Sequence, residues 1–117
     1  MKVAQIMTKK VYSVTPTTKV KELAVLLRNK RISGAPVLDG GKLVGIVTEA
    51  DILARKPGQN LVRNIMKTNV TTVTEDMTEK AVAGVLARKK FKRVPVMREG
   101  KLVGIVSRAD IVRAIAG

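Results

Sequence analysis

The sequence predicts an α/β fold in which one β-α-β-β-α unit is used twice. Three observations carry this: an internal repeat over most of the chain, an amphipathic helix pattern in each copy, and a glycine-turned hairpin after each helix. Gly41-Lys42-Leu43-Val44-Gly45-Ile46-Val47 recurs as Gly100-Lys101-Leu102-Val103-Gly104-Ile105-Val106, and Ala50-Asp51-Ile52 as Ala109-Asp110-Ile111. The offset is 59 residues throughout, and residues 3–56 against 62–115 give about 22 identities in 54 positions with no gap. A unit this small cannot bury its own apolar face, so the two copies are expected to pack on each other. Residues 1–56 form the first repeat, 57–60 a linker inside the turn-forming Lys56-Pro57-Gly58-Gln59-Asn60, and 61–117 the second repeat.

Each copy opens with a short β-like stretch, Val11-Tyr12-Ser13-Val14 and Val70-Thr71-Thr72-Val73. A helix follows. Val20, Leu23, Ala24 and Leu27 fall at i, i+3, i+4 and i+7, the spacing of one helix face, and Val82, Val85 and Leu86 continue it in the second copy. Ala35-Pro36-Val37-Leu38 then turns at Asp39-Gly40 into Lys42 to Val47, with the second hairpin turning at Glu99-Gly100. Thr48 and Ser107 stand where strand becomes helix, and the last helices are expected over Glu49–Arg55 and Arg108–Ala116.

The composition narrows the chemistry. At 117 residues and 45% hydrophobic the chain can bury a core. It has no Cys, His or Trp, which excludes disulfides, thiolate or imidazole metal sites, and every catalytic scheme that needs Cys or His. Ser13, Ser33 and Ser107 have no imidazole base, so no catalytic residue and no metal site are assigned and an enzyme is disfavoured. Lys plus Arg is 23 against 9 acids, a formal net charge of +14 that attracts polyanions such as nucleotides, nucleic acid or an acidic partner. Each half of the chain carries +7, so the charge is not a basic tail. With few aromatics and no helix-turn-helix pattern, nucleic-acid binding is expected to be nonspecific and salt-sensitive. No run approaches the roughly 18 apolar residues of a membrane span, and Met1 to Met7 lacks the apolar segment of a signal peptide. A cytoplasmic protein without a membrane partner is the expectation.

Ser33-Gly34-Ala35-Pro36-Val37, then Gly41 to Thr48, then Asp51-Ile52-Leu53 resemble a cystathionine-β-synthase (CBS) domain, and Val94-Pro95-Val96, Gly100 to Ser107 and Asp110-Ile111-Val112 repeat the signature. The resemblance covers nearly the whole chain. It implies a tandem pair, or Bateman module, whose repeats pack sheet to sheet about a pseudo-twofold axis and which forms a homodimer. It also implies two clefts for AMP, ADP, ATP or S-adenosylmethionine, no required cofactor, and regulation of a separate, unidentified protein.

Thr48-x-x-Asp51 and Ser107-x-x-Asp110 are read in two ways. A carboxylate can accept both hydroxyls of a ribose, while the Thr or Ser hydroxyl and free helix N–H groups hold phosphate. The same spacing is that of a capping box, which satisfies helix N–H groups and nothing more. The resemblance implies one cleft with Ile46, Thr48 and Asp51 beside Val70, Phe91, Lys92 and Arg93. It implies a second with Ile105, Ser107 and Asp110 beside Thr8, Val11, Ile32 and Ser33. The first would have Lys92 and Arg93 as counter-charge for phosphate and would take it in preference. Lys67 stands where the first copy has Thr8, which alters the adenine side of that cleft. Tyr12 and Phe91 are the only aromatics, so an adenine would be held mostly by aliphatic side chains and backbone. A competing reading is a basic nucleic-acid or protein-interaction module without a small ligand. The Ala-, Ile- and Leu-rich last helices, with Ile52, Leu53, Ile111, Val112 and Ile115, are the expected dimer surface.

Overall fold

The computed structural model describes Met1 through Gly117. Its backbone is mixed α/β, with strands and helices alternating as the repeat predicts. It forms two compact units whose limits cut across the sequence repeats. One, the contiguous unit, is Tyr12–Val70; the other, the split unit, joins Met1–Val11 to Thr71–Gly117. The opening segment of each repeat therefore belongs with the body of the other.

The contiguous unit holds α1 (Val20–Lys30), β1 (Gly34–Asp39), β2 (Lys42–Thr48), α2 (Glu49–Ala54) and a single helical turn, α3 (Val62–Ile65). The split unit holds a 3-10 turn at Val3–Gln5, then β3 (Val73–Thr74), α4 (Glu79–Lys89), β4 (Arg93–Arg98), β5 (Lys101–Ser107) and α5 (Arg108–Ala116). β1 and β2 pair antiparallel, as do β4 and β5, and each pair shifts register at the same place, Val37/Leu38 and Val96/Met97. Such a one-residue bulge bends the strand and increases its twist.

The expected first strands are shorter than their β-branched residues suggest. Only Val14 pairs, in a parallel bridge to Val37, and only Val73–Thr74 pairs with Val96 and Met97. Val11 and Val70 lie where the chain leaves one unit for the other, so the backbone there cannot continue the ladder. The helix stripe also differs. Val20, Leu23 and Leu27 are buried and Leu26 packs beside them, but Ala24 is exposed. The larger side chains set the buried arc, since area removed from water scales with side-chain size.

Each unit has its own apolar core, and each core includes the exchanged segment. In the contiguous unit Val62 and Ile65 join Val14, Val20, Leu23, Leu27, Val37 and Val47. In the split unit Val3 joins Val73, Val82, Leu86, Val94, Val96, Val106 and Ile111. Val3 and Val62 are wholly buried, and burying a valine is worth roughly 1.5–3 kcal/mol. Hydrogen bonds fix the same segments. Val62 N–H donates to Thr18 O and Arg63 N–H to Pro16 O; in the split unit Val3 N–H donates to Met77 O and Ala4 N–H to Glu75 O.

Both hairpins close through two residues with positive φ: Gly40 (57°) and Gly41 (81°) in one, Glu99 (49°) and Gly100 (79°) in the other. A two-residue turn of this kind matches strand twist but asks for Gly or Asn at both positions. Glu99 is the one side chain out of place, and a left-handed conformation costs a residue with a bulky Cβ substituent about 1–2 kcal/mol. Glu99→Asn is therefore expected to stabilise the protein by about 0.5–1 kcal/mol, read as a higher urea midpoint at unchanged slope. A lower midpoint would show that Glu99 makes a compensating contact.

Candidate functional site

The site begins at the edge of each hairpin. In the contiguous unit the outer edge of β2 is paired by one residue of the exchanged segment. Ile46 N–H donates to Lys67 O at 2.9 Å and Lys67 N–H to Ile46 O at 2.8 Å. In the split unit Thr8 N–H donates to Ile105 O at 2.8 Å and Ile105 N–H to Thr8 O at 2.9 Å. Glycine permits this approach. A Cβ on Gly45 would lie 2.9 Å from Lys67 O and 2.9 Å from Met66 Sδ, and one on Gly104 would lie 2.6 Å from Met7 Sδ. The two Gly-Ile pairs of the repeat are thus the seats on which Lys67 and Thr8 rest.

Strand gives way to helix at Thr48 and Ser107, and both close a capping box. Thr48 N–H donates to Asp51 Oδ2 at 2.9 Å, Thr48 Oγ1 donates to the same oxygen at 3.1 Å, and Asp51 N–H returns to Thr48 Oγ1 at 3.4 Å. Ser107 N–H donates to Asp110 Oδ2 at 2.9 Å and Asp110 N–H to Ser107 Oγ at 3.1 Å. Asp51 and Asp110 are the chain's buried charged residues, 7% and 5% exposed. A carboxylate this deep needs partners beyond a cap, since an unpaired buried charge is costly.

Each finds a cation, from a different place. Lys67 Nζ lies 3.0 Å from Asp51 Oδ1, whereas the matching residue Thr8 puts its hydroxyl 3.5 Å from both oxygens of Asp110. Asp110 instead pairs with Arg113 on its own helix, one turn on. Position 54, which matches Arg113, is Ala. Both cations are mostly exposed, with side chains 74% and 71% open to solvent. Each carboxylate thus has one oxygen held by the cap and one turned to a solvent-facing cation. The sequence reading missed both pairings. Arg113 was legible as an i, i+3 partner of Asp110; Lys67 was not, because its reach depends on the edge pairing to Ile46.

The remaining expected residues fall as follows. Ile46, Thr48, Asp51 and Val70 are in the contiguous unit, with Ile32 and Ser33. Thr8, Val11, Ile105, Ser107 and Asp110 are in the split unit, with Phe91, Lys92 and Arg93. Within its own unit, each loop before the hairpin is tied to the start of the last helix: Glu49 N–H donates to Ser33 O at 2.9 Å and Arg108 N–H to Lys92 O at 3.0 Å. No three His, Cys, Asp or Glu side chains converge as metal ligands. No helix is long and apolar enough to cross a membrane.

The chain matches the CBS domain over residues 3–58 and again over 62–117, and it belongs to that family as a tandem pair. It is 39% identical over 102 residues to inosine-5′-monophosphate dehydrogenase of Korarchaeum cryptofilum, covering 86% of this chain but 21% of that protein. An uncharacterized protein of Methanocaldococcus jannaschii, MJ0188, is 34% identical over 97% of this chain and 44% of its own length. The chain thus spans from about a fifth to under half of these relatives. Among solved structures, CBSX2 of Arabidopsis thaliana in complex with AMP superposes with a TM-score of 0.91 at 32% identity, over 98% of this chain and 96% of that one. The CBS domain pair of MJ0100, in complex with 5′-methylthioadenosine and S-adenosyl-L-methionine, gives 0.89 at 33% identity over 100% and 97%.

Gly45→Ala is expected to push the Met66–Lys67 segment off β2 and to destabilise the protein by about 1–3 kcal/mol, the usual cost of overpacking. Chemical denaturation measures it. An unchanged midpoint would mean that Met66 and Lys67 yield without loss.

Proposed function

We propose that this chain is a sensor of an adenosine-derived ligand: AMP, ADP, ATP or S-adenosylmethionine. The observation that carries the reading is the nearly buried aspartate of each unit, seated at the first turn of a helix that leaves a strand, with a hydroxyl three residues before it at the helix cap. It is supported by the AMP and the methylthioadenosine and S-adenosylmethionine bound to the two similar structures. Asp51 and Asp110 act as acceptors for the ribose hydroxyls. Thr48 and Ser107, with the helix N–H groups beside them, offer donors to an anion. Ile46 and Ile105 provide apolar surface for adenine.

In this reading the exposed cation leaves the carboxylate when a ribose arrives. Lys67 stands on an extended segment and carries a flexible ammonium, free to turn to phosphate; Arg113 is tied to its own helix. The Asp51 site is therefore the better phosphate site. No catalytic step and no resident cofactor belong to this function. Its output passes to another protein or another part of a longer one, in the cytoplasm where the nucleotides are.

Calorimetric titration with AMP, ADP, ATP and S-adenosylmethionine tests it. Saturable binding of at least one is expected. A hydrogen bond to a charged group is worth roughly 1.5–3 kcal/mol, so Asp51→Ala should weaken a phosphate-bearing ligand about 10- to 150-fold, and Asp110→Ala less. No heat from any of the four compounds would sink the proposal, and equal losses from both substitutions would sink the ranking of the sites.

The same reading includes a homodimer. Leu53 on α2 and Val112 and Ile115 on α5 are 85%, 64% and 73% exposed, apolar residues on each unit that a second copy would cover. Ile111 lies in the core of the split unit and Ile52 packs against that of the contiguous one, so neither of these expected residues is open to a partner. Light scattering is expected to give twice the 12.7 kDa chain mass, and Leu53→Glu with Ile115→Glu should shift it toward one copy. A monomeric mass for the unsubstituted chain would refute the dimer.

A further inference from the structure

The internal repeat provides its own control for the chain's charge. At the end of α1 and in the loop after it, the first copy carries Asn29, Ile32, Ser33 and Gly34, with Glu49 opening the helix hydrogen-bonded to that loop. At the matching positions the second copy carries Arg88, Phe91, Lys92 and Arg93, with Arg108 in place of Glu49. Lys89 and Lys90 add to these as Lys30 and Arg31 do in the first copy. With Arg28 of α1, whose match is Ala87, the same piece of fold therefore holds six cations in the split unit, against three cations and an acid in the contiguous one.

Helix stability explains only part of this. Arg88 and Lys89 end α4, where the helix dipole favours cations. Arg108 is the first residue of α5, where the dipole disfavours a cation and favours the Glu49 of the other copy. Lys92 follows the helix and Arg93 starts a strand, so neither gains from it. None of the six is in an ion pair, and Arg93 Nε is buried with no acceptor. The loop is fixed in place. Arg108 Nε donates to Phe91 O at 2.7 Å and Arg108 N–H to Lys92 O at 3.0 Å. Phe91, 37% exposed, stands in the middle of it.

We propose that this loop, Arg88–Arg93 with Arg108, is a docking surface for single-stranded nucleic acid, with Phe91 as a stacking platform for one base and the surrounding cations on the phosphates. Clustered like charges without acidic partners fit a polyanion. An exposed aromatic among them fits an unpaired base, whose flat face a duplex hides and an acidic peptide lacks. Recognition by stacking and charge is sequence-tolerant, in keeping with the absence of a groove-reading helix. Phe91, Lys92 and Arg93 are also the residues that the family resemblance sets beside an adenosine cleft. The inference concerns the surface of the split unit, does not rest on that reading, and is separated from it by competition with AMP.

Fluorescence anisotropy of the whole protein tests it, with a labelled oligothymidylate of about 12 nucleotides, within the common site-size range of about 4–16, and the matching duplex. The single strand is expected to bind more tightly than the duplex at about 50 mM salt and to weaken steeply toward about 200 mM. The double variant Arg88→Asn, Lys92→Ser puts the first copy's residues, Asn29 and Ser33, at two exposed positions of the second. It should weaken binding about tenfold or more and flatten the salt slope by about 1.4, at about 0.7 per phosphate released. Phe91→Ile, again the first copy's residue, should weaken binding about 5- to 150-fold with the slope unchanged. Lys42→Ser with Lys56→Ser removes the same charge from exposed positions of the other unit and should change affinity less than about twofold. Failure to bind at low salt, equal loss in the two charge variants, a duplex held as tightly as the strand, no effect of Phe91→Ile, or displacement of the strand by an equal amount of AMP each overturns the proposal.

Discussion

One constraint shapes both units: a strand edge that only a glycine leaves open. Ile46 and Ile105 each have both backbone groups paired by a residue from the start of the other repeat, and Gly45 and Gly104 leave the space for it. The short turns at Val3–Gln5 and Val62–Ile65 anchor the same segments by placing Val3 or Val62 and Ile65 in a core. The second residue after Ile65, Lys67, then comes within reach of Asp51, and Thr8 within reach of Asp110. Core, edge and carboxylate are positioned by one short stretch of chain.

That arrangement keeps a charged oxygen ready at little structural expense. The cap holds one oxygen of each aspartate from within the chain. The other meets a cation that is itself mostly in water, so the pair is buried on the carboxylate side only. An ion pair open to water on the cation's side is partly screened, while the carboxylate side stays buried and in need of a partner. The two units reach this state by different substitutions, Lys67 in one and Arg113 in the other. A counter-charge is therefore needed at each aspartate, while its point of attachment is free to vary. That freedom makes the two carboxylates chemically unequal within near-identical backbones.

Much of this was legible in the sequence. The 59-residue offset gave the two units' common hairpin-and-helix order. Asp39-Gly40 and Glu99-Gly100 gave the hairpins, the first one residue early, since Asp39 ends β1 and Gly40 and Gly41 make the turn. Thr48 with Asp51 and Ser107 with Asp110 were readable as boxes from spacing alone, since a helix brings i and i+3 together whatever surrounds it. What escaped was non-local. Val11 to Val14 has the β-branched content of a strand, yet the chain spends those residues changing unit, and propensity carries no information about that. α3 is too short for a periodicity to show. The Lys67–Asp51 contact depends on an edge pairing that no local pattern announces.

The exchange of opening segments also bears on how the chain acquires its structure. Every residue of the contiguous unit lies between Tyr12 and Val70, so it can close as soon as Val70 is available. The split unit cannot. Thr8 and Asp110 are 102 residues apart in sequence, and the ladder from Thr8 to Ile105 needs nearly the whole chain. Contacts of such long range pay their loop-closure entropy before they return any stability, and they form slowly. Synthesis from the N-terminus thus brings out all of Tyr12–Val70 while Thr8 still lacks Ile105. Throughout that interval Val3 and Ile6, core residues in the final structure, remain in water awaiting the strands that will cover them.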